Sequence, residues 1–433
     1  MKRDSLKSRL GFLMLSAGCA VGLGNVWRFP FIVGQNGGAA FVLVYLVFLA
    51  LMGFPLLAAE FAIGRAGRRG IAGAMRELSN ARYRRFWYTV GTSIFLGCAL
   101  LMAYYTDVAG WLVRCTVDFL RGNAGSVCFS SVSGDCVSST AYLAFTIATS
   151  AGICMAGVRN GVERVVKVMM LALLVLMAVL AARALTLPGA SSGVRFYLAP
   201  DWAKFFAHPW RAMFDAMAQA FFTLSIGMGC MTIFGSYIGR DHSLAAESAI
   251  VIVLDTVVAL LAGLVVFPAC ASYGVDVTSG PGLIFDLLPK VFDNMAGGRV
   301  WGFIFFFCLS LAAITTIVTV FECLIGGLVD EAGLSRVAAS TLTGVGVMAL
   351  SLVTVFVDGA LKWEDFVLGQ IWLPLGAFMI CVFASNRIGW GAEGFEREVS
   401  AGVGMKFPHF FVVLMKAVVP VLILAVLVAG LMQ

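Results

Sequence analysis

Long apolar runs, separated by short polar stretches rich in Arg and Gly, follow one another from residue 10 almost to the carboxyl terminus. Runs of about 18 residues or more can each cross a hydrocarbon core of about 30 Å as a helix, and the polar faces of a soluble helical protein are missing between them. The pattern predicts an all-α membrane protein with eleven transmembrane helices. They are expected near residues 10–37, 39–64, 86–120, 140–157, 160–186, 211–238, 247–273, 300–329, 337–357, 363–386 and 407–431. The first run is too long for a signal peptide and lacks a small-residue cleavage pattern behind it, so it is expected to stay as span 1.

Charge then orients the spans. With the amino terminus inside, nineteen Lys and Arg fall on the inner segments, among them Lys2, Arg3, Arg65, Arg68, Arg69 and Arg76, against seven on the outer ones. Inner loops carry the excess of basic residues, so the amino terminus is expected in the cytoplasm and, after an odd number of spans, the carboxyl terminus outside. A multi-pass location in the cell inner (plasma) membrane follows. Composition agrees: 61% of the 433 residues are hydrophobic and 12% charged, against about 25% charged in soluble domains. The net charge of +6 is read as topology and contact with anionic lipid, with no compact basic module for nucleic acid. No Cys/His cluster has metal-ligand spacing in sequence, and no nucleophile–base pair stands out, which argues against an enzyme. Most of the eleven cysteines lie in apolar helices as small hydrophobes. Cys128 and Cys136 sit in the polar outer loop 122–140, where an oxidising exterior lets them bridge.

Two segments break the pattern. Span 1 holds Gly18-Cys19-Ala20-Val21-Gly22-Leu23-Gly24-Asn25, then Val26-Trp27-Arg28-Phe29-Pro30; span 6 holds Phe222-Thr223-Leu224-Ser225-Ile226-Gly227-Met228-Gly229. Close helix packing explains a lone Gly pair. Two Gly-x-Gly clusters five spans apart, each beside Asn, Thr or Ser, instead mark matching positions in two repeats of opposite topology. The expected architecture is a 5+5 inverted repeat with broken helices 1 and 6. Repeat one covers about 10–186, repeat two about 211–386, and an additional helix about 407–431, all in a single transporter domain spanning 1–433. Broken helices free carbonyls for a cation and amides for an anionic group. Arg28, just past the first break, is a candidate functional residue, since an Arg in a membrane segment is costly; snorkelling to the interface is the alternative. Ala312, Thr315 and Thr316 share one face of span 8 and can offer hard oxygen ligands, though Thr in such a helix often bonds its own backbone.

The run Gly22-Leu23-Gly24-Asn25-Val26-Trp27-Arg28-Phe29-Pro30, followed by Gln35-Asn36-Gly37-Gly38, resembles the signature of the neurotransmitter:sodium symporter family. The resemblance extends through Phe222-Thr223-Leu224-Ser225, Thr315-Thr316 and Glu364-Asp365-Phe366, and its eleven-helix length is similar to the bacterial amino-acid branch. It implies a sodium site from Gly18, Val21, Ala312, Thr315 and Thr316. It implies a second from Ala20, Asn25, Thr223 and Asp255, completed by the substrate carboxylate, which would link sodium and substrate binding in both directions. The implied outer gate is Arg28 with Asp365 and the inner gate Arg3 with Asp330.

For the substrate, the resemblance implies a carboxylate held by Ala20, Gly24 and the Tyr105 hydroxyl, and an amino group on the Phe222 and Ser225 carbonyls. Leu101, Phe222, Met228 and Val320 would line an uncharged side-chain pocket, with Leu23 and Thr319 completing the set. Gly22 stands where monoamine carriers of the family place an Asp, which suggests a substrate that brings its own carboxylate. Met228 is unbranched and adaptable, so aromatic as well as aliphatic side chains are expected. Asp255 stands where the family commonly has an Asn; as a carboxylate it is expected to make chloride unnecessary and, once emptied, to return protonated, giving proton antiport. Other departures are Leu6 at a cytoplasmic-gate Trp position, Leu171 at a helix-5 Pro position, and Glu322 for a typical Gln; Glu60 is a further acid at mid-membrane. The expected function is sodium-coupled import of a hydrophobic L-amino acid, with sodium ions, the amino acid and lipid as partners. A proton-coupled carrier of the same architecture and a non-transporting membrane receptor are the competing readings.

Overall fold

The structure is a computed structural model that describes residues 6, 8–123, 127–274 and 283–432. Among the described residues the chain is helical, with no strand beyond the isolated bridges Gly38–Pro200 and His242–Val403. Its principal helices are α1 Arg9–Ala20, α2 Gly24–Gln35, α3 Ala39–Gly67, α4 Ala81–Arg121, α5 Cys136–Met155 and α6 Val158–Leu185. After these come α7 Pro209–Thr223 and α8 Cys230–Gly235, then α9 Leu244–Ser272, α10 Gly298–Ala332, α11 Arg336–Phe356, α12 Ala360–Ser385, α13 His409–Ala417 and α14 Val419–Leu431. Eight of these are unbroken and long and apolar enough to cross a membrane, and the pairs α1–α2 and α13–α14 meet the same test jointly, bent by 54° and 43°. Helix occupies every expected apolar run. The run expected at 211–238 is split into α7 and α8, neither long enough alone.

Proline placement explains much of the helix geometry. Wide π-helical turns occupy Gly24–Arg28, Leu49–Gly53, Leu283–Leu287 and Val367–Trp372, and each is followed two residues later by a proline: Pro30, Pro55, Pro289 and Pro374. A proline cannot donate to the preceding turn and its ring crowds the carbonyl there, so the helix widens just before it. A fifth wide turn, Val158–Val162, opens α6 without a proline, behind Gly157 at φ 96°.

Burial sorts the helices into centre and periphery. From Ala312 to Gly326 nearly every residue of α10 is buried, as befits a helix apolar all round. It packs on α4, α6 and α1. In α6 the buried positions Val166, Met170, Leu173, Met177, Leu180 and Ala184 recur at helical spacing, while Val168, Leu171, Val175 and Val179 are exposed. Such an apolar outer stripe suits lipid. On one end of the molecule a buried Arg65 is held by Glu398 at 2.8 Å and by the His242 carbonyl at 2.7 Å, with Arg240 completing the cluster 2.8 Å from Glu398. Pairing offsets the cost of burying the charge.

Candidate functional site

Both helix breaks face the middle of the fold, and their conformations follow from the glycines. In the second, Ser225 has φ 53°, Gly227 φ 93° and Gly229 φ 72°. A Cβ at Gly227 would run into the Leu373 carbonyl oxygen of α12, so the close approach of two backbones needs glycine there. The freed groups of this segment are matched from two sides. Glu60 of α3, fully buried, accepts the Gly227 N–H at 2.8 Å, and the Cys98 thiol donates to the Met228 carbonyl at 3.0 Å. In the first break the Leu23 N–H donates to the Tyr105 hydroxyl oxygen at 3.2 Å, and the Gly22 N–H to the Asn25 side chain at 3.2 Å.

Four oxygens converge between α1 and α10. The Thr316 hydroxyl lies 3.2 Å from the Gly18 carbonyl, 3.3 Å from that of Val21 and 3.2 Å from that of Ala312. Thr315 is adjacent but turned: its hydroxyl donates to the Leu311 carbonyl at 2.6 Å, the local back-bond that competes with ligation in such helices. Gly18, Val21, Ala312 and Thr316 are therefore brought together, whereas the Thr315 oxygen is not. All are hard donors of the kind a small alkali cation takes.

A second cluster joins α2, α7 and α9. The Asn25 amide nitrogen lies 2.7 Å from Asp255 Oδ1 and 3.0 Å from Thr223 Oγ1, and the Thr223 hydroxyl donates to Asp255 Oδ2 at 2.8 Å. All three residues are essentially inaccessible to solvent. Ala20 is the last residue of α1. Gln219 donates to the Gly24 carbonyl at 3.0 Å and so serves the break. A carboxylate, an amide and a hydroxyl gathered without a positive side chain suit a cation, to which rotation of the Asn25 amide would present its oxygen.

A cavity of about 310 Å³ opens beside these clusters, walled among others by Leu23, Gly24, Trp27, Tyr104, Tyr105, Val108 and Phe222, with Arg28, Lys362 and Asp365 also on its wall. Its volume lies at the small end of ligand pockets, about 300–1,000 Å³. Arg28 stacks over the Phe222 ring at 4.5 Å, and Asp365 accepts the Tyr104 hydroxyl at 3.1 Å, so the two charges face one cavity without pairing. Leu101, Met228, Thr319 and Val320 are buried and do not line it; Ser225 donates to the Cys19 carbonyl at 3.0 Å. At Gly22 an added Cβ would lie 2.6 Å from the Tyr105 hydroxyl and 2.9 Å from that of Thr316, so a larger side chain would have to displace one of them.

Of the inner pair, Arg3 lies outside the described residues; Asp330 accepts the Gly70 N–H at 2.8 Å. Glu322 is paired: it takes the Tyr237 hydroxyl at 2.6 Å and faces Arg336 through both carboxylate oxygens. Cys128 and Cys136 are separate thiols, Cys128 beside the Ser130 hydroxyl at 3.2 Å and Cys136 nearest the Val355 carbonyl at 3.8 Å. Hydrogen bonds from Ser130 and Ser131 pull the Cys128 thiol below its ordinary range. Sequence reasoning missed Lys362 and Tyr104 on the cavity wall. The signals were available: Lys362 precedes Asp365 by three residues on one helix, and Tyr104 adjoins Tyr105.

Comparison with known proteins gives a consistent result. Residues 3–141 and 130–433 match the Sodium:neurotransmitter symporter family. The chain is 30% identical to an uncharacterized sodium-dependent transporter, YhdH, of Bacillus subtilis, over 97% of this chain and 96% of the relative. It is 26% identical to the sodium-dependent serotonin transporter of Drosophila melanogaster, covering 99% of this chain and 76% of that protein. Among solved structures it superposes on MhsT in complex with L-phenylalanine with a TM-score of 0.87 and 32% identity, covering 99% of this chain and all of that one.

Proposed function

This chain belongs to the sodium:neurotransmitter symporter family, a multi-pass membrane transporter, and from that premise we propose that it is a sodium-coupled symporter importing a hydrophobic L-amino acid, aliphatic or aromatic, by alternating access. The observation that carries this reading is the convergence of Thr316 with the Gly18, Val21 and Ala312 carbonyls, because it bridges the first helix break and α10 with oxygen donors alone. The second sodium would lie with Ala20, Asn25, Thr223 and Asp255. Thr315 would join the first site by rotating its hydroxyl off the Leu311 carbonyl.

The crowding at Gly22 supports an amino acid over a monoamine. With Tyr105 and Thr316 already at the place a side chain would take, the protein supplies no carboxylate there, and the substrate brings its own. That carboxylate would meet the Leu23 and Gly24 amides and the Tyr105 hydroxyl, and complete the second sodium site. The Phe222 and Ser225 carbonyls would take the amino group, and Leu101, Phe222, Met228, Thr319 and Val320 would enclose the side chain. The bound L-phenylalanine of the MhsT structure is of the same chemical class. We assign the charge balance of the cycle to Asp255: it accompanies sodium inward, needs no chloride, and returns with a proton.

In this reading the eleven runs are eleven spans in a 5+5 inverted repeat with an added helix, the amino terminus lies in the cytoplasm of an inner membrane and the carboxyl terminus outside. Arg28 and Asp365 pair when the outer cavity closes, and Arg3 with Asp330 when the inner side does. Uptake of radiolabelled amino acids into proteoliposomes, with sodium and with an equimolar potassium replacement, tests it. Sodium-dependent accumulation of phenylalanine or leucine is expected; equal uptake without sodium would refute the coupling.

A further inference from the structure

Three buried thiols stand beside the second helix break and have no part in the transport site. Cys98 of α4, Cys230 at the start of α8 and Cys323 of α10 place their sulfurs within 4.8 Å of one another. Cys98 and Cys230 are 3.5 Å apart, the Cys98 thiol reaches the Met228 carbonyl at 3.0 Å, and Cys323 lies 3.8 Å from the Gly229 carbonyl. The three cysteines are 0%, 0% and 2% exposed. They come from sequence positions more than ninety residues apart, so no spacing rule reveals them.

We infer that Cys98, Cys230 and Cys323 form a binding site for a soft monovalent d10 cation, copper(I), which ties the segment between α7 and α8 to α4 and α10. Sulfur donors select copper(I), zinc or iron–sulfur clusters over hard cations. A structural zinc site takes four ligands in a closed tetrahedron and an iron–sulfur cluster commonly four thiolates. Among the described residues the mutually close group comprises three sulfurs with no His or carboxylate in it, while the Cys19 thiol contacts Cys230 from outside that group; three-coordination is ordinary for copper(I). On binding, each ligating thiol gives its proton to bulk water and a copper–thiolate bond replaces the S–H bond that is lost, since cysteine ligates as the thiolate. Because Cys230 and the Met228 and Gly229 carbonyls belong to the broken segment, while Cys98 and Cys323 sit within two long helices, the bound ion staples a segment that alternating access requires to move.

The test uses the full-length reduced protein in detergent, without oxygen, with copper(I) supplied as its bicinchoninate complex. Wild type is expected to withdraw one equivalent per chain and to show an all-sulfur copper environment by X-ray absorption. Cys98→Ser, Cys230→Ser and Cys323→Ser should each weaken retention about tenfold or more, while Cys308→Ser, a buried cysteine elsewhere on α10, retains the equivalent. Size-exclusion profiles identify variants that fold, and alanine replaces serine wherever a hydroxyl is not accepted. Hydrogen exchange of residues 224–229 should slow severalfold with copper bound. Failure of wild type to withdraw copper, equal retention by the triple serine variant, loss of retention in Cys308→Ser, or unchanged exchange at 224–229 would each overturn the proposal. None of these readouts depends on which solute the carrier moves.

Discussion

The Thr316 hydroxyl stands 3.2 Å from the Gly18 carbonyl, joining a long buried helix to a broken one, whereas the neighbouring Thr315 hydroxyl is spent on its own helix at 2.6 Å from Leu311. The two threonines should therefore separate experimentally. Thr316→Ala is expected to raise the sodium concentration for half-maximal uptake by about tenfold, some 1.4 kcal/mol. Thr315→Val should have the smaller effect of the two. A sodium titration of uptake decides, and the reverse ranking would move the ligand role to Thr315.

Gly22 tests the substrate assignment. Its added Cβ would lie 2.6 Å from the Tyr105 hydroxyl, a distance real Cβ contacts do not adopt, so Gly22→Ala must displace Tyr105 or the first break. Binding of labelled substrate should weaken at least about tenfold, with the variant still monodisperse. Gly22→Ala with wild-type affinity would place the carboxylate elsewhere.

Arg28 and Asp365 share the cavity wall yet engage Phe222 and Tyr104 in place of one another. If they meet only on closure, Arg28→Ala should cut net uptake severalfold while leaving equilibrium binding within about twofold. Scintillation binding and proteoliposome uptake on the same preparation measure both. Wild-type uptake by the variant would remove Arg28 from the gate.

Glu322 is fully buried against Arg336, which is 22% exposed, and also takes the Tyr237 hydroxyl. Removing one partner of a buried ion pair costs about 3–5 kcal/mol, and the partial exposure of Arg336 puts this pair toward the lower end or below. Glu322→Gln should lower the thermal midpoint by several degrees. Adding Arg336→Met should recover most of the loss, because no charge is then left unpaired. A double variant as unstable as the single one would show that the side chains matter for packing instead.

The positions of the helices were legible because apolar length is a direct physical requirement of crossing lipid, and the run expected at 86–120 is found within Ala81–Arg121. The breaks were legible from clustered glycines; the widened turns were not anticipated, although a proline follows four of them. What sequence does not show is side-chain direction within a helix. Thr315 and Thr316 are equivalent in pattern, yet one faces the Gly18 carbonyl and the other its own backbone. Partners distant in sequence are hidden for the same reason: Glu322 finds Arg336 across a turn, and three cysteines meet from three helices. Short helices such as Ala190–Leu198 and Trp202–Ala207, in a stretch with no expected span, carry too few residues for a periodic signal.

Asp255 carries the last prediction, because its environment limits what it can do. Its two oxygens are held by Asn25 at 2.7 Å and Thr223 at 2.8 Å, it is inaccessible to solvent, and it belongs to the ladder of side chains that links α9 to both helix breaks. On the proposed charge balance a carboxylate so placed would be neutralised by sodium when loaded and by a proton when empty, since an isolated charge in a dry interior is far costlier than either. Wild type should therefore transport at the same rate in chloride and in gluconate, and uptake should be accompanied by proton movement in the opposite direction, seen with a pH dye trapped in the liposomes. Asp255→Asn keeps both hydrogen-bonding neighbours but loses the negative charge, so the proposed sodium would bind there without compensation. Its uptake should fall at least about tenfold, regain part of the loss at high chloride, and lose the proton countermovement. Chloride-dependent uptake by wild type would defeat the charge-balance role, and an Asp255→Asn variant indifferent to both chloride and pH would leave Asp255 as a structural partner of Asn25 alone.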